Sequence, residues 1–171
     1  MDLRETAGPG ALPAILFVSK RHSLRSVLAH GCMEHVGRGR FRVQSCGVPG
    51  ELAGETNPGA LAALKVAGMP APARGPQCWT AFVKPASART DIVIALDRFA
   101  FTKLPAWPRQ PETALWNYPD LVALDPVPPV VEVTRLLHSL RCRLEILAAL
   151  LARHAEPSAL RSDIRDIGQM E

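Results

Sequence analysis

The stretch that most constrains this chain lies near its start, where Pro13 opens an unbroken apolar run, Ala14 to Val18, that ends on the polar residues Ser19-Lys20-Arg21-His22-Ser23. A short apolar run without alternation suits a strand covered on both faces, the pattern of a parallel sheet. Beyond Ser23, a candidate N-cap region, Leu24, Val27, Leu28 and Val36 come at approximately helical spacing until Gly37 and Gly39 end the segment. Strand, polar loop and helix in that order begin a βαβ unit, and open α/β sheets bind ligands beyond the carboxyl ends of their strands. The loop from Ser19 to Ser26 is therefore where a function is expected.

The rest of the chain repeats this alternation. Phe41, Val43 and Ser45 alternate with Arg42 and Gln44 as a second strand, broken by Gly47, Pro49 and Gly50. Asn57-Pro58 opens a helix with proline at its first position, which Leu61, Leu64 and Val66 carry to Gly68. Residues 70–76 read as a loop, Asp91 to Leu96 as a third buried strand and Ala114 to Tyr118 as a short fourth one. The Pro- and Trp-rich connection between the last two carries no clear periodicity. Val133, Leu136, Leu137, Leu140, Leu144, Leu147 and Leu151 form one stripe, which predicts a long amphipathic helix over residues 130–153. The expected organisation is an N-terminal tail (1–13), one α/β domain (14–153) and a polar C-terminal tail (154–171). The expected fold is a three-layer αβα sandwich, with a four-stranded parallel sheet and right-handed crossovers.

Charge narrows the function classes. Of 20 Lys and Arg, seven lie in the first 45 residues against three acids, and the remainder balances at thirteen against thirteen. That asymmetry favours an anion near the N-terminal third. It comes with no recognition helix, zinc finger or aromatic RNA-binding motif, so nucleic acid is not an expected partner. The apolar stretch Leu144 to Ala152 contains Glu145 and falls short of a membrane span, so no membrane partner is expected. Residues 1–13 have the wrong order of charged and apolar regions for a secretory signal, and a cytoplasmic location is expected. Cys32, Cys46, Cys78 and Cys142 include no C-x-x-C pair and read as buried reduced thiols; neither a metal nor a cofactor is implied.

Residues Ile15 to Ser26, ILFVSKRHSLRS, resemble the segment VLFVCTGNSARS that follows the first strand in the low-molecular-weight protein tyrosine phosphatase and thioredoxin-type arsenate reductase family. The resemblance continues in Phe41 to Gly47 (second strand and S-A-G turn), in Asn57-Pro58 (the N-P opening the second helix), in Trp116-Asn117-Tyr118-Pro119-Asp120 (W-D-F-P-D) and in the basic helix after Val130. It spans residues 14–153. It implies the fold above and a chemistry in which a thiolate attacks phosphorus or arsenic. Loop N–H groups and one arginine fork bind the equatorial oxygens at a helix N-terminus, whose field also lowers the thiol pKa. An aspartate protonates the leaving oxygen. Carried onto this chain, Arg25 is the oxyanion fork and Ser19, Lys20, Arg21, His22, Ser23 and Leu24 are the rest of the oxyanion cradle. Ser26, with Ser23, supplies loop-supporting hydroxyls, and Asp120 is the general acid.

The departures bear on activity. Ser19 stands at the nucleophile position, and an alkoxide is far harder to reach than a thiolate, so the phosphoenzyme route is expected to be lost. Lys20 and Arg21 replace a small residue and a glycine. His22 replaces an asparagine, and a loop-shape role is favoured over proton transfer because histidine tolerates left-handed backbone. The family's D-P becomes Asp120-Leu121, and Asp125-Pro126 is a rival alignment. Cys46 is the alternative nucleophile. An engineered Ser19 trap is a further reading, against which Lys20, Arg21 and His22 depart as well. The expectation is a pseudoenzyme that binds phosphate, sulfate or an arsenate-like anion, including phosphate on a phosphorylated protein. The alternatives are an active phosphatase or arsenate reductase, and a scaffold without a ligand.

Overall fold

The structure is a computed structural model that describes residues 12–153 and 157–170. Four parallel strands, β1 (Ala14–Ser19), β2 (Arg42–Gly47), β3 (Ile92–Ala95) and β4 (Glu112–Leu115), lie in the order β2-β1-β3-β4. The register pairs Val18 with Cys46 and with Ala95. Because side chains alternate across a strand, Ile15, Phe17, Ile92 and Ile94 enter one apolar layer, while Leu16, Val18, Val93 and Ala95 enter the other.

The first layer is covered by α1 (Arg25–Gly37), α2 (Pro58–Val66) and α5 (Val130–Arg153). The second is covered by α3 (Arg98–Lys103) and a 3-10 turn at Trp79–Ala81, and a single-turn α4 (Leu121–Leu124) follows β4. This is the expected αβα sandwich. Helix α1 is buried continuously from Arg25 to Met33, which explains why its apolar period is faint in sequence. Gly31 makes that close packing work: a Cβ there would lie 2.3 Å from the Pro70 carbonyl oxygen and 2.8 Å from Leu64. The expected α2 and α5 form at the expected places, and the Asn57 side chain caps α2 through Gly59 N–H at 2.9 Å.

The reading of residues 154–171 as a polar tail needs correction. Residues 154–156 lie outside the described residues, but α6 (Arg161–Ile167) packs on the first layer with Leu160, Ile164 and Ile167 buried. Trp116 fixes it by donating its indole N–H to the Ile164 carbonyl at 2.9 Å, and Arg161 pairs with Glu112. The expected N-terminal tail lies almost wholly outside the described residues. Strand β4 begins two residues earlier than expected, although Trp116 and Tyr118 extend its hydrogen bonding to Ala95 and Leu96. Among the described residues, no helix is long and apolar enough to cross a membrane.

Candidate functional site

Chain direction delivers the site. All four strands end on the same edge, and there the loop after β1 meets the residues that follow β3 and β4. The loop is pinned from outside: the carbonyls of Lys20, Arg21 and Ser23 accept the N–H groups of Val48, Ala53 and Asn57 at 3.1, 3.1 and 3.0 Å. A trans peptide sets N–H opposite C=O, so pinning those carbonyls outward turns the N–H groups of Arg21, His22 and Leu24 inward. Among the described residues, the N–H groups from Arg21 to Ser26 find no protein acceptor, and no side chain caps α1. Such a run of inward N–H groups at the start of a helix is an anion-binding concavity.

His22 makes the turn, with φ at 50°, and its ring lies under the loop rather than in it. Gln77 N–H donates to Nδ1 at 3.0 Å, and Nε2 lies 2.8 Å from Ser45 Oγ, which is 2.7 Å from His30 Nδ1. Since Nδ1 accepts, the neutral ring carries its proton on Nε2 and donates to Ser45, whose hydroxyl proton is left for His30. The outer nitrogen of His30 faces Glu34 at 3.4 Å. Burial, with the neighbouring His30 charge as the lesser cause, lowers the His22 pKa to about 4. Gly47 permits this packing, because a Cβ there would stand 3.0 Å from His22 Cβ. Arg21, which replaces a glycine, does not adopt a positive φ, and the left-handed residue of the loop is His22, in line with the loop-shape role favoured for it.

Arg25 leads α1 and is buried. Its guanidinium donates to the Tyr118 carbonyl at 3.2 Å and lies 3.3 Å from Asp97 Oδ2 and 3.7 Å from Asp120 Oδ2. Arg21 reaches the same Asp120 oxygen at 3.6 Å. Asp97 also accepts from Lys20 N–H at 2.8 Å and from Ala100 N–H at 2.7 Å, so one carboxylate ties the loop, the arginine and the start of α3 together. The Ser19 hydroxyl donates to Ser26 Oγ at 2.6 Å, and both are buried. Among the described residues no histidine or carboxylate hydrogen-bonds the Ser19 hydroxyl.

The cleft above the loop is lined by Ser19, Arg21, Ser23, Leu24, Arg25 and Asp120, with Leu121 and Val122. Its volume is about 10 Å³, room for about one water, and the Asp120 carboxylate stands in it beside Arg25 and Arg21. The structure thus brings together most of the residues picked out in sequence. Lys20 is an exception, since its ammonium sits 4.6 Å from the centroid of the Phe99 ring. Asp125 bonds Val127 N–H and does not line the cleft, which leaves Asp120 as the aspartate at this position. Cys46 is fully buried on the opposite layer, where burial pushes its thiol pKa far up, and it does not line the cleft; Cys32 is buried too, but Cys78 is half-buried and Cys142 exposed, which corrects the expectation of four buried thiols. No group of three metal-binding side chains occurs among the described residues.

Sequence reasoning missed Asp97, Ser45, His30 and Gln77 as supports of the loop. Asp97 had a signal, because it is the first charged residue after the buried run Ile92 to Leu96, on the ligand-binding edge of the sheet.

Solved structures with this fold include YfkJ from Bacillus subtilis (18% identity, TM-score 0.67, covering 85% of this chain and 98% of that one). Others are an arsenate reductase in the phosphate binding state (24%, 0.64, 81% and 98%) and a mutant of the YwlE arginine phosphatase with a phosphorylated active site serine (19%, 0.61, 81% and 95%). No curated protein sequence is significantly similar to the chain. Residues 14–116, more than half of the 171, match the low molecular weight phosphotyrosine protein phosphatase family across all four strands and the loop after β1, and the chain belongs to that family.

Proposed function

We propose that this chain is a family member that binds phosphate or a related oxyanion without turning it over, with Ser19 in the place of the nucleophilic cysteine. The observation that carries the reading is the loop itself: outward-pinned carbonyls at Lys20, Arg21 and Ser23, unpaired N–H groups from Arg21 to Ser26 among the described residues, and the Arg25 fork above them. These atoms bind anions whether or not a thiolate is present. Asp120 serves as the gate that holds Arg25 and Arg21 until an anion displaces it. Reaction fails because the Ser19 hydroxyl is spent on Ser26 and has no base, while Cys46 is on the wrong side of the sheet. The ligand in this reading is inorganic phosphate or the phosphate of a phosphorylated protein, and arsenate and sulfate share its shape.

A second reading has one observation behind it. A structural neighbour is a mutant with a phosphorylated active site serine, so a serine at this position can accept a phosphoryl group there. Phosphorylation of Ser19 on incubation with an aryl phosphate, followed by mass spectrometry, would favour this reading. The main proposal is tested by following backbone amide resonances during titration with phosphate. It expects saturable shifts concentrated on residues 21–26, and shifts confined elsewhere would sink it.

A further inference from the structure

The positive charge of the first 45 residues is only half absorbed by the loop. Lys20, Arg21 and Arg25 belong there, whereas Arg38, Arg40 and Arg42 gather at the other end of α1. Thirteen helical residues separate the two groups, about 20 Å at the ~1.5 Å rise of an α-helix. Beside the second group a groove of about 530 Å³ runs between the end of α1 and the middle of α5. Val36, Ala148 and Ala149 give it an apolar lining, with His35, Arg38, Arg40 and Arg141 as its basic residues and Glu145 as its one acid.

Two details set this groove apart from a merely solvated basic face. Arg38 caps α1 in the left-handed region, at φ 50° and ψ 46°, a position where glycine is unstrained and arginine is not. A charged side chain thus stands at the groove in a backbone position that glycine would occupy without strain. Arg141 already holds a carboxylate there, that of Glu145 at 3.0 Å, in an exposed pair that an incoming carboxylate can exchange. Arg40 is partly committed, since it donates to the carbonyls of Gly37 and Val36, so it contributes field more than hydrogen bonds.

We propose that this groove docks an acidic segment of a partner protein, with small apolar side chains against Val36, Ala148 and Ala149 and carboxylates on Arg38 and Arg141. No Phe, Tyr or Trp is among its lining residues, which disfavours single-stranded nucleic acid. The site is independent of the phosphate loop and does not rest on the function proposed for it.

The test uses fluorescence anisotropy with a short labelled peptide alternating glutamate and alanine, against a control in which lysine replaces glutamate. The native protein binds the acidic peptide and not the control, and binding weakens with salt. The double variant Arg38→Gly, Arg141→Gln binds it about tenfold or more weakly, with a melting temperature no lower than native because the glycine relieves the cap. Inorganic phosphate at matched ionic strength leaves peptide affinity unchanged. The proposal is overturned by equal affinity in native and double variant, or by displacement of the peptide by phosphate at matched ionic strength, which would move the peptide to the loop. It is also overturned if a single-stranded oligonucleotide or anionic vesicles bind this face more tightly than the peptide, or if sedimentation shows a dimer that the double variant dissolves.

Discussion

Replacing Asp97 by alanine should be the most damaging single change near the loop, although Asp97 does not line the cleft. Its carboxylate and the Arg25 guanidinium are each 8% exposed and 3.3 Å apart, so the pair is shielded from water. Removing one member of a buried pair leaves the other charge uncompensated, at about 3–5 kcal/mol. The lost α3 cap at Ala100 N–H adds roughly 1 kcal/mol. Against this, Arg25 keeps the Tyr118 carbonyl and stays 3.7 Å from Asp120, which favours the lower end of the range. The expected loss is therefore about 3–4 kcal/mol, read as a shift in the urea midpoint at constant slope. Phosphate supplies the missing negative charge beside Arg25, so it should stabilise Asp97→Ala more than the native chain. A variant as stable as the native protein, or one that phosphate rescues no better than the native chain, would refute this reasoning.

Gly31→Ala should destabilise by about 1–3 kcal/mol through overpacking against the Pro70 carbonyl and Leu64, measured by thermal melting. The depressed His22 pKa means that the unfolded chain takes up a proton that the folded one refuses. Stability should therefore be lost as pH falls from about 6.5 toward 4, by up to roughly 3 kcal/mol, and urea titrations of His22→Asn should show a shallower acid loss. Purified protein should hydrolyse aryl phosphate and reduce arsenate no faster than background, and Cys46→Ala should change neither rate.

Much of this architecture was readable because burial wrote it plainly. The unbroken runs at Ala14 to Val18 and Ile92 to Leu96 are strands covered on both faces, and the stripe from Val133 to Leu151 is a helix covered on one. Helix α6 was also written, with Leu160, Ile164 and Ile167 at helical spacing, but seven residues between charges resemble a solvated tail until Trp116 is seen to hold them. In the site, Ser19 to Arg25 were legible because they are contiguous. The supports were not, because Ser45, Gln77 and Asp97 come from three other segments and meet the loop only through the sheet order β2-β1-β3. Arg21 shows the limit of reading residue by residue. Its place at a family glycine left a positive φ open at position 21, but the left-handed backbone is on His22, the residue for which the sequence favoured a loop-shape role.

The central claim, an oxyanion cradle that works without a reactive residue at position 19, is tested most directly by calorimetric titration of phosphate into the native protein, Arg25→Lys and Arg25→Ala. Each charge-assisted hydrogen bond is worth about 1.5–3 kcal/mol, so loss of the fork should weaken binding roughly 10- to 150-fold in Arg25→Ala. Arg25→Lys, which keeps the charge but not the fork, should fall between. Phosphate affinity that is the same in all three folded proteins, or absent from the native one, would contradict the account.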